Sequence, residues 1–129
     1  MKLAVCTTDK RTICKDHFGE STNYLVFEIL NGKIVSEELR RNPYYGVNKL
    51  NNHGQSEKIL DLLKDCTLFL GKSMRKKSLA NIRSQNIDII ITTIENVDEA
   101  VSSYLESKLE YFQYYDIKSK RFITCTNRL

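Results

Sequence analysis

No apolar run in this chain is long enough to cross a bilayer. The longest, Ile87 to Ile94, carries Asp88 inside it, whereas a spanning helix needs about 20 apolar residues. The start, Met1-Lys2-Leu3-Ala4-Val5-Cys6-Thr7-Thr8-Asp9, turns polar too early for a secretory signal. A cytoplasmic protein with no membrane partner is expected. Cysteine is sparse and scattered: Cys6, Cys14, Cys66 and Cys125 include no Cys-x-x-Cys pair, which argues against a redox motif or a zinc ribbon. Cys6 and Cys66 border apolar runs and read as buried thiols, and a reducing compartment leads us to expect no disulfides. Charge of one sign is also in short supply. The net charge is +4, of which residues 108–129 supply +3, so a nucleic-acid partner gains little support.

Several catalytic patterns are missing. Two-metal nuclease chemistry needs clustered carboxylates, but the first strand has none, and Glu28, Asp65 and Asp88 are scattered. No Ser–His–Asp spacing or nucleophile elbow is visible. Gly71-Lys72-Ser73 resembles the end of a phosphate loop, yet the earlier glycine of such a loop is replaced by Cys66. Neither enzymatic activity nor a bound nucleotide is expected.

What is present is a regular alternation of elements in a length suited to one core, 129 residues. Lys2 to Cys6 reads as a short buried strand. Asn23 to Leu30 and Lys33 to Arg41 read as strands joined by Asn31-Gly32, a strong two-residue hairpin signal. Asn42-Pro43 ends the second of these, and the chain's one proline cannot donate to a ladder. Tyr44 to Gly54 is a polar loop. Ser56 is the expected cap of a helix over Ser56 to Lys64, with Ile59, Leu60, Leu62 and Leu63 as its apolar stripe. Thr67 to Leu70 is a strand. Ser73 is the expected cap of a helix over Arg75 to Gln85, with Leu79, Ala80 and Ile82 inward. Asp88 to Thr92 is a strand of isoleucines, and a third helix starts at Asn96 or Val97.

The order β-β-β-α-β-α-β-α implies parallel strands with right-handed crossovers in its second half. We expect an α/β fold, a mixed five-stranded sheet with helices on both faces. The tail, with Tyr111, Phe112, Tyr114 and Tyr115, is a core extension or a partner surface, and Phe122 to Thr126 could add a sixth strand.

The candidate site is Asp16-His17-Phe18-Gly19, inside the polar segment Thr7 to Thr22. His17 offers a nitrogen ligand or an acid/base group that titrates near neutral pH. Phe18 can anchor the loop in the core, and Gly19 allows a turn or close approach to a ligand. Cys14, three residues earlier, adds a thiol. His53 is the chain's other histidine, and a fold that brings its loop over His17 would gather Cys14, His17 and His53. Cys and His together suit iron–sulfur or other transition-metal species, the alternative being a solvated loop histidine. Lys72 and Arg75 flank a helix start that can attract an anion, the alternative being a capped helix with a solvated basic face.

Met1-Lys2-Leu3-Ala4-Val5, Asp16-His17-Phe18-Gly19, the Asn31-Gly32 hairpin, Arg41-Asn42-Pro43, His53-Gly54, Leu62-Leu63-Lys64-Asp65-Cys66 and Val97-Asp98-Glu99-Ala100 together carry a resemblance. The chain resembles the dinitrogenase iron–molybdenum cofactor biosynthesis family, the small cofactor carriers of nitrogenase assembly. The resemblance covers residues 1–109 and leaves 110–129 as a C-terminal extension. It implies a ribonuclease H-like, three-layer α/β/α sandwich and non-enzymatic binding of an iron–sulfur or iron–molybdenum-type cluster. It also implies a protein donor or acceptor of that cluster, with His17 as ligand or contact and Phe18, Gly19, Lys72 and Arg75 around it. The turn after the fourth strand, glycine-rich in the family, is Gly71-Lys72-Ser73-Met74-Arg75 here. A second reading is a cluster-free regulatory domain that binds a protein or nucleic acid through the extension.

Overall fold

The computed structural model describes residues 1–44 and 53–125, with backbone alone from 53 to 56. The chain forms β1 (Lys2–Thr7), β2 (Asn23–Leu30), β3 (Lys33–Arg41), α1 (His53–Leu62), β4 (Leu68–Gly71), α2 (Lys76–Ser84), β5 (Asp88–Thr92), α3 (Val97–Leu105), β6 (Phe112–Asp116) and β7 (Arg121–Thr124). One sheet runs in the order β3-β2-β1-β4-β5-β6-β7. The central trio β1, β4 and β5 is parallel, and the outer pairings are antiparallel. The hairpin turn places Asn31 and Gly32 at φ of 53° and 74°, the left-handed pair that a type I′ turn requires.

The sheet has seven strands, not the five expected. The difference lies in the tail, where 112–116 and 121–124 form a hairpin that pairs with β5. Phe112 and Tyr115 point to opposite faces and are both buried. A short strand that is apolar on both sides shows no alternation, so the sequence leaves core extension and partner surface open for its aromatics; the structure makes it core. With two of these rings in the core, the basis for an aromatic nucleic-acid surface is reduced.

One helix start also differs from expectation. The polar loop expected over Tyr44 to Gly54 lies, from 45 to 52, outside the described residues. The backbone is already helical at His53, which makes Ser56 an interior position of α1 rather than its cap. Capping preference is a weak prior that the rest of the chain overrides. By contrast, α3 starts at Val97, one of the two positions expected, and Asn96 caps it, its side chain accepting from the Glu99 N–H at 2.8 Å. Ala80, expected inward on α2, is exposed, while Leu79 and Ile82 are buried.

Register fixes which residues share a face. Ala4 pairs with Val26 and Phe69, and Phe69 with Ile89, so these four project to one side. Leu70, Ile90 and Tyr114 are paired across β4, β5 and β6 on the other side. Ile59 and Leu60 of α1 and Ile82 of α2 gather with Phe69. Tyr104 of α3 meets Phe112 edge-on, ring centroids 5.7 Å apart. The parallel strands all end at one edge, at Thr7, Gly71 and Thr92. In open α/β sheets ligands bind outside those carboxyl ends, and here the loops that leave them meet.

Candidate functional site

The loop after β1 is built in two parts. In its first turn the Asp9 carboxylate accepts from the N–H groups of Arg11 and Thr12 at 2.9 and 2.7 Å. These bonds favour the ionised form and hold Asp9 below its ordinary range. Ile13 then pairs with Thr7, and its N–H donates to the Glu95 carbonyl at 2.8 Å. This seats the chain between β1 and the loop before α3.

In the second part Phe18 acts as a plug. It is 1% exposed, stacks on Phe69 with centroids 4.7 Å apart, and lies tilted against Tyr24 at 5.0 Å. The Tyr24 hydroxyl donates to the Phe18 carbonyl at 2.8 Å, and the Phe18 N–H donates to the Ser73 carbonyl at 2.9 Å. Gly71 leaves the space the ring occupies: a Cβ there would lie 3.3 Å from the Cys6 sulfur and 3.4 Å from the Phe18 ring. Gly71 therefore serves packing rather than phosphate binding. Gly19 is different, since an added Cβ would meet nothing within 4 Å. Its backbone faces open space, and its φ lies outside the range that favours glycine.

Burying Phe18 leaves its neighbour at the rim. The His17 ring is half-buried, and its Nδ1 lies 2.6 Å from the Ser73 Oγ. Among the described residues no group hydrogen-bonds Nε2. Ser73 is thus occupied with the imidazole instead of capping α2, whose N-cap position, Arg75, supplies no side-chain cap. The Arg75 guanidinium turns back to pair with the Glu20 carboxylate. Beside Phe18 and Gly19 lies a small, mostly apolar pocket, about 40 Å³, lined also by Ile59, Leu60, Met74, Arg75 and Ser78.

The other sequence candidates fall elsewhere. Lys72 pairs with Glu95 at 3.2 Å and borders a separate cavity of about 220 Å³ with Thr93, Tyr111 and Gln113. The exposed cations at the start of α2 are Lys76 and Lys77, which form no ion pair among the described residues. Cys14 is 5% exposed. Its thiol meets the Cys6 thiol, which draws Cys14 below the ordinary thiol range, and the Asp16 carbonyl at 3.5 Å. Burial pushes Cys6 up. The side chain of His53 lies outside the described residues. The structure therefore brings together His17, Phe18, Gly19 and Arg75, and adds Ser73, Glu20 and Ser78. Ser73 was visible in the sequence only as a cap, because nothing local says that a serine faces an imidazole 56 positions away.

A family model described as dinitrogenase iron-molybdenum cofactor matches residues 1–107, and the chain belongs to that family. It is 25% identical to the uncharacterised protein MJ0580 of Methanocaldococcus jannaschii over 113 residues, 88% of this chain and 92% of that relative. Among solved structures, PH0822 superposes with a TM-score of 0.68 at 16% identity, covering 83% of this chain and 92% of that one. The apo form of the orange protein from Desulfovibrio gigas superposes with a TM-score of 0.65 at 17% identity, covering 83% and 88%. At such identities the structural likeness speaks for the fold alone.

Proposed function

We propose that this protein binds and carries a preassembled iron–sulfur-type metallocluster, the iron–molybdenum cofactor, a precursor or a related cluster, without catalysing a reaction on it. The observation that carries this reading is the half-buried His17 ring, held at Nδ1 by Ser73 while no described residue hydrogen-bonds Nε2. Family membership makes such a cluster the natural cargo. The donor set suits a cluster better than a single ion. Among the described residues no three His, Cys, Asp or Glu side chains gather as a metal cage, whereas a protein-held zinc ion takes three or four ligands. A cluster brings its own bridging sulfides, and the His17 imidazole would supply one terminal ligand to it.

The pocket beside the motif, about 40 Å³, has room for a water-sized group rather than a cluster. The cargo therefore rests over its mouth, against the open backbone of Gly19 and the Arg75–Glu20 pair, with Lys76 and Lys77 nearby. Cys14, buried against Cys6, is left out of the contact set. Phe18 supports the site from beneath, and Lys72 lies to one side. Delivery to a protein donor or acceptor in the cytoplasm is part of the same proposal. So is the finer architecture, a three-layer, ribonuclease H-like sandwich, which the placement of α1 and α2 by Phe69 and of α3 by Phe112 supports.

The test is anaerobic reconstitution with iron and sulfide, followed by visible absorption and metal analysis. The wild-type chain is expected to retain a cluster, and His17→Ala is expected to lose most of it. Equal retention by the two would remove His17 from the account.

A further inference from the structure

The four cysteines look unrelated in sequence, yet two of them are neighbours across a ladder. Thr7 pairs antiparallel with Ile13, so Cys6 and Cys14 stand directly opposite each other. The Cys14 N–H donates to the Cys6 carbonyl at 3.0 Å, a direct bond between the two backbones. Directly opposed antiparallel residues hold their Cα atoms about 4.5–5.5 Å apart, within the roughly 4.4–6.8 Å that a disulfide spans. Directly opposed residues project to the same face, and the two thiols contact each other. Gly71 lies against the sulfur of Cys6. Cys66 and Cys125 are also buried, and the Cys66 thiol meets the Asp65 carboxylate.

We propose that Cys6 and Cys14 form an oxidative modification site, at which a small hydroperoxide converts two facing thiols into an intramolecular disulfide. Cys14, 5% exposed against 0% for Cys6, is the sulfur a diffusible oxidant meets first. Its sulfur attacks one peroxide oxygen, the O–O bond breaks, and a first water leaves, giving a sulfenic acid on Cys14. The Cys6 sulfur then attacks the Cys14 sulfur, the S–O bond breaks, and a second water leaves. Two thiols and one hydrogen peroxide give one disulfide and two waters: the sulfurs are oxidised and the peroxide oxygens reduced. The product is neutral and suits its dry apolar surroundings. It closes the loop over Thr7 to Ile13, and only Lys15 and Asp16 separate that loop from His17, so oxidation fixes the entry to the motif. This proposal goes beyond cargo binding and does not depend on it.

The experiment treats the folded, full-length protein with hydrogen peroxide, quenches, alkylates in denaturant and digests with trypsin. The expected product is the disulfide-linked pair Leu-Ala-Val-Cys-Thr-Thr-Asp-Lys (residues 3–10) and Thr-Ile-Cys-Lys (residues 12–15), with two of the four thiols lost. Dithiothreitol should restore both thiols. Cys6→Ala should leave Cys14 as a sulfenic acid that dimedone labels. A Cys66→Ser, Cys125→Ser double variant keeps the pair intact and should still give the linked peptides, so the test survives misfolding of the first variant. Cys6 and Cys14 oxidising no faster than Cys66 and Cys125, or Cys14 joined to either of those two, would overturn the proposal.

Discussion

The Ser73 hydroxyl oxygen lies 2.6 Å from Nδ1 of His17, a contact between two loops that leave different strands at the same edge of the sheet. A ligating imidazole normally donates its second ring N–H to a neighbour, which fixes the tautomer and turns the free lone pair outward. If His17 works this way, Nδ1 carries the proton and Nε2 faces the cargo. Long-range 15N–1H NMR is expected to find the Nδ1–H tautomer in the wild type and a shift toward Nε2–H in Ser73→Ala. The variant should stay folded, since one such hydrogen bond contributes about 1 kcal/mol, while its cluster retention falls between those of wild type and His17→Ala. A dominant Nε2–H form in the wild type would contradict the assignment.

The two glycines near the motif should behave differently. Gly71→Ala places a methyl 3.3 Å from Cys6 and 3.4 Å from Phe18, and is expected to cost about 1–3 kcal/mol by overpacking. Gly19→Ala adds a methyl to open space and should stay within about 0.5 kcal/mol of wild type. Urea denaturation measures both. If cargo rests on Gly19, that silent substitution still weakens cluster retention, which separates a contact surface from a packing site.

Phe18 itself is a core residue placed in a loop. Phe18→Ala should cost about 3–5 kcal/mol and loosen His17 along with it. The measurement is the denaturation midpoint, read beside the line width of the His17 ring resonances. A small cost with an unmoved imidazole would mean that the stacking on Phe69 and Tyr24 does not hold the motif.

Asp65 predicts acid behaviour. Arg40 grips it with two bonds of 2.6 Å, Lys2 adds a third at 3.0 Å, and these partners hold its carboxyl well below the ordinary value of 3.8. A depressed folded-state pKa means that the stabilisation is present above the unfolded value and is lost as pH falls below it. Its side chain is 38% exposed, so solvent screening keeps the effect modest. Asp65→Asn is expected to lower the urea midpoint most at pH 7 and by clearly less near pH 2, where the stabilisation is partly lost. An equal loss at both pH values would mean that the charge is not the cause.

Truncation after Leu109 would test the tail. It removes β6 and β7, leaves β5 as a bare edge and strips Phe112 from Tyr104. Exposed strand edges invite association, so the shortened chain is expected to aggregate or lose helical signal in size-exclusion chromatography and circular dichroism. A stable monomer of unchanged spectrum would show that residues 1–109 suffice.

Local chemistry determined much of this protein before any folding was considered. Asn31-Gly32 requires left-handed backbone, so the first hairpin was legible, though not the register shift at Glu28 and Ile29; so were the isoleucine strand Asp88–Thr92 and the helix start at Val97, each decided by residues a few positions apart. The motif was legible too, as an imidazole beside an aromatic ring where no periodicity called for either. What the chain could not reveal locally were its long-range pairings. Ser73 reads as a cap until the fold places it against His17. Cys6 and Cys14 read as scattered thiols until Ile13 returns to Thr7, and the tail's aromatics fit either a core extension or a partner surface until β5 supplies an edge. Caps and turns are settled by a few bonds within one stretch of backbone. Which side chains meet across a sheet depends on closing loops of many residues, and only burial of the shared core selects among those closures.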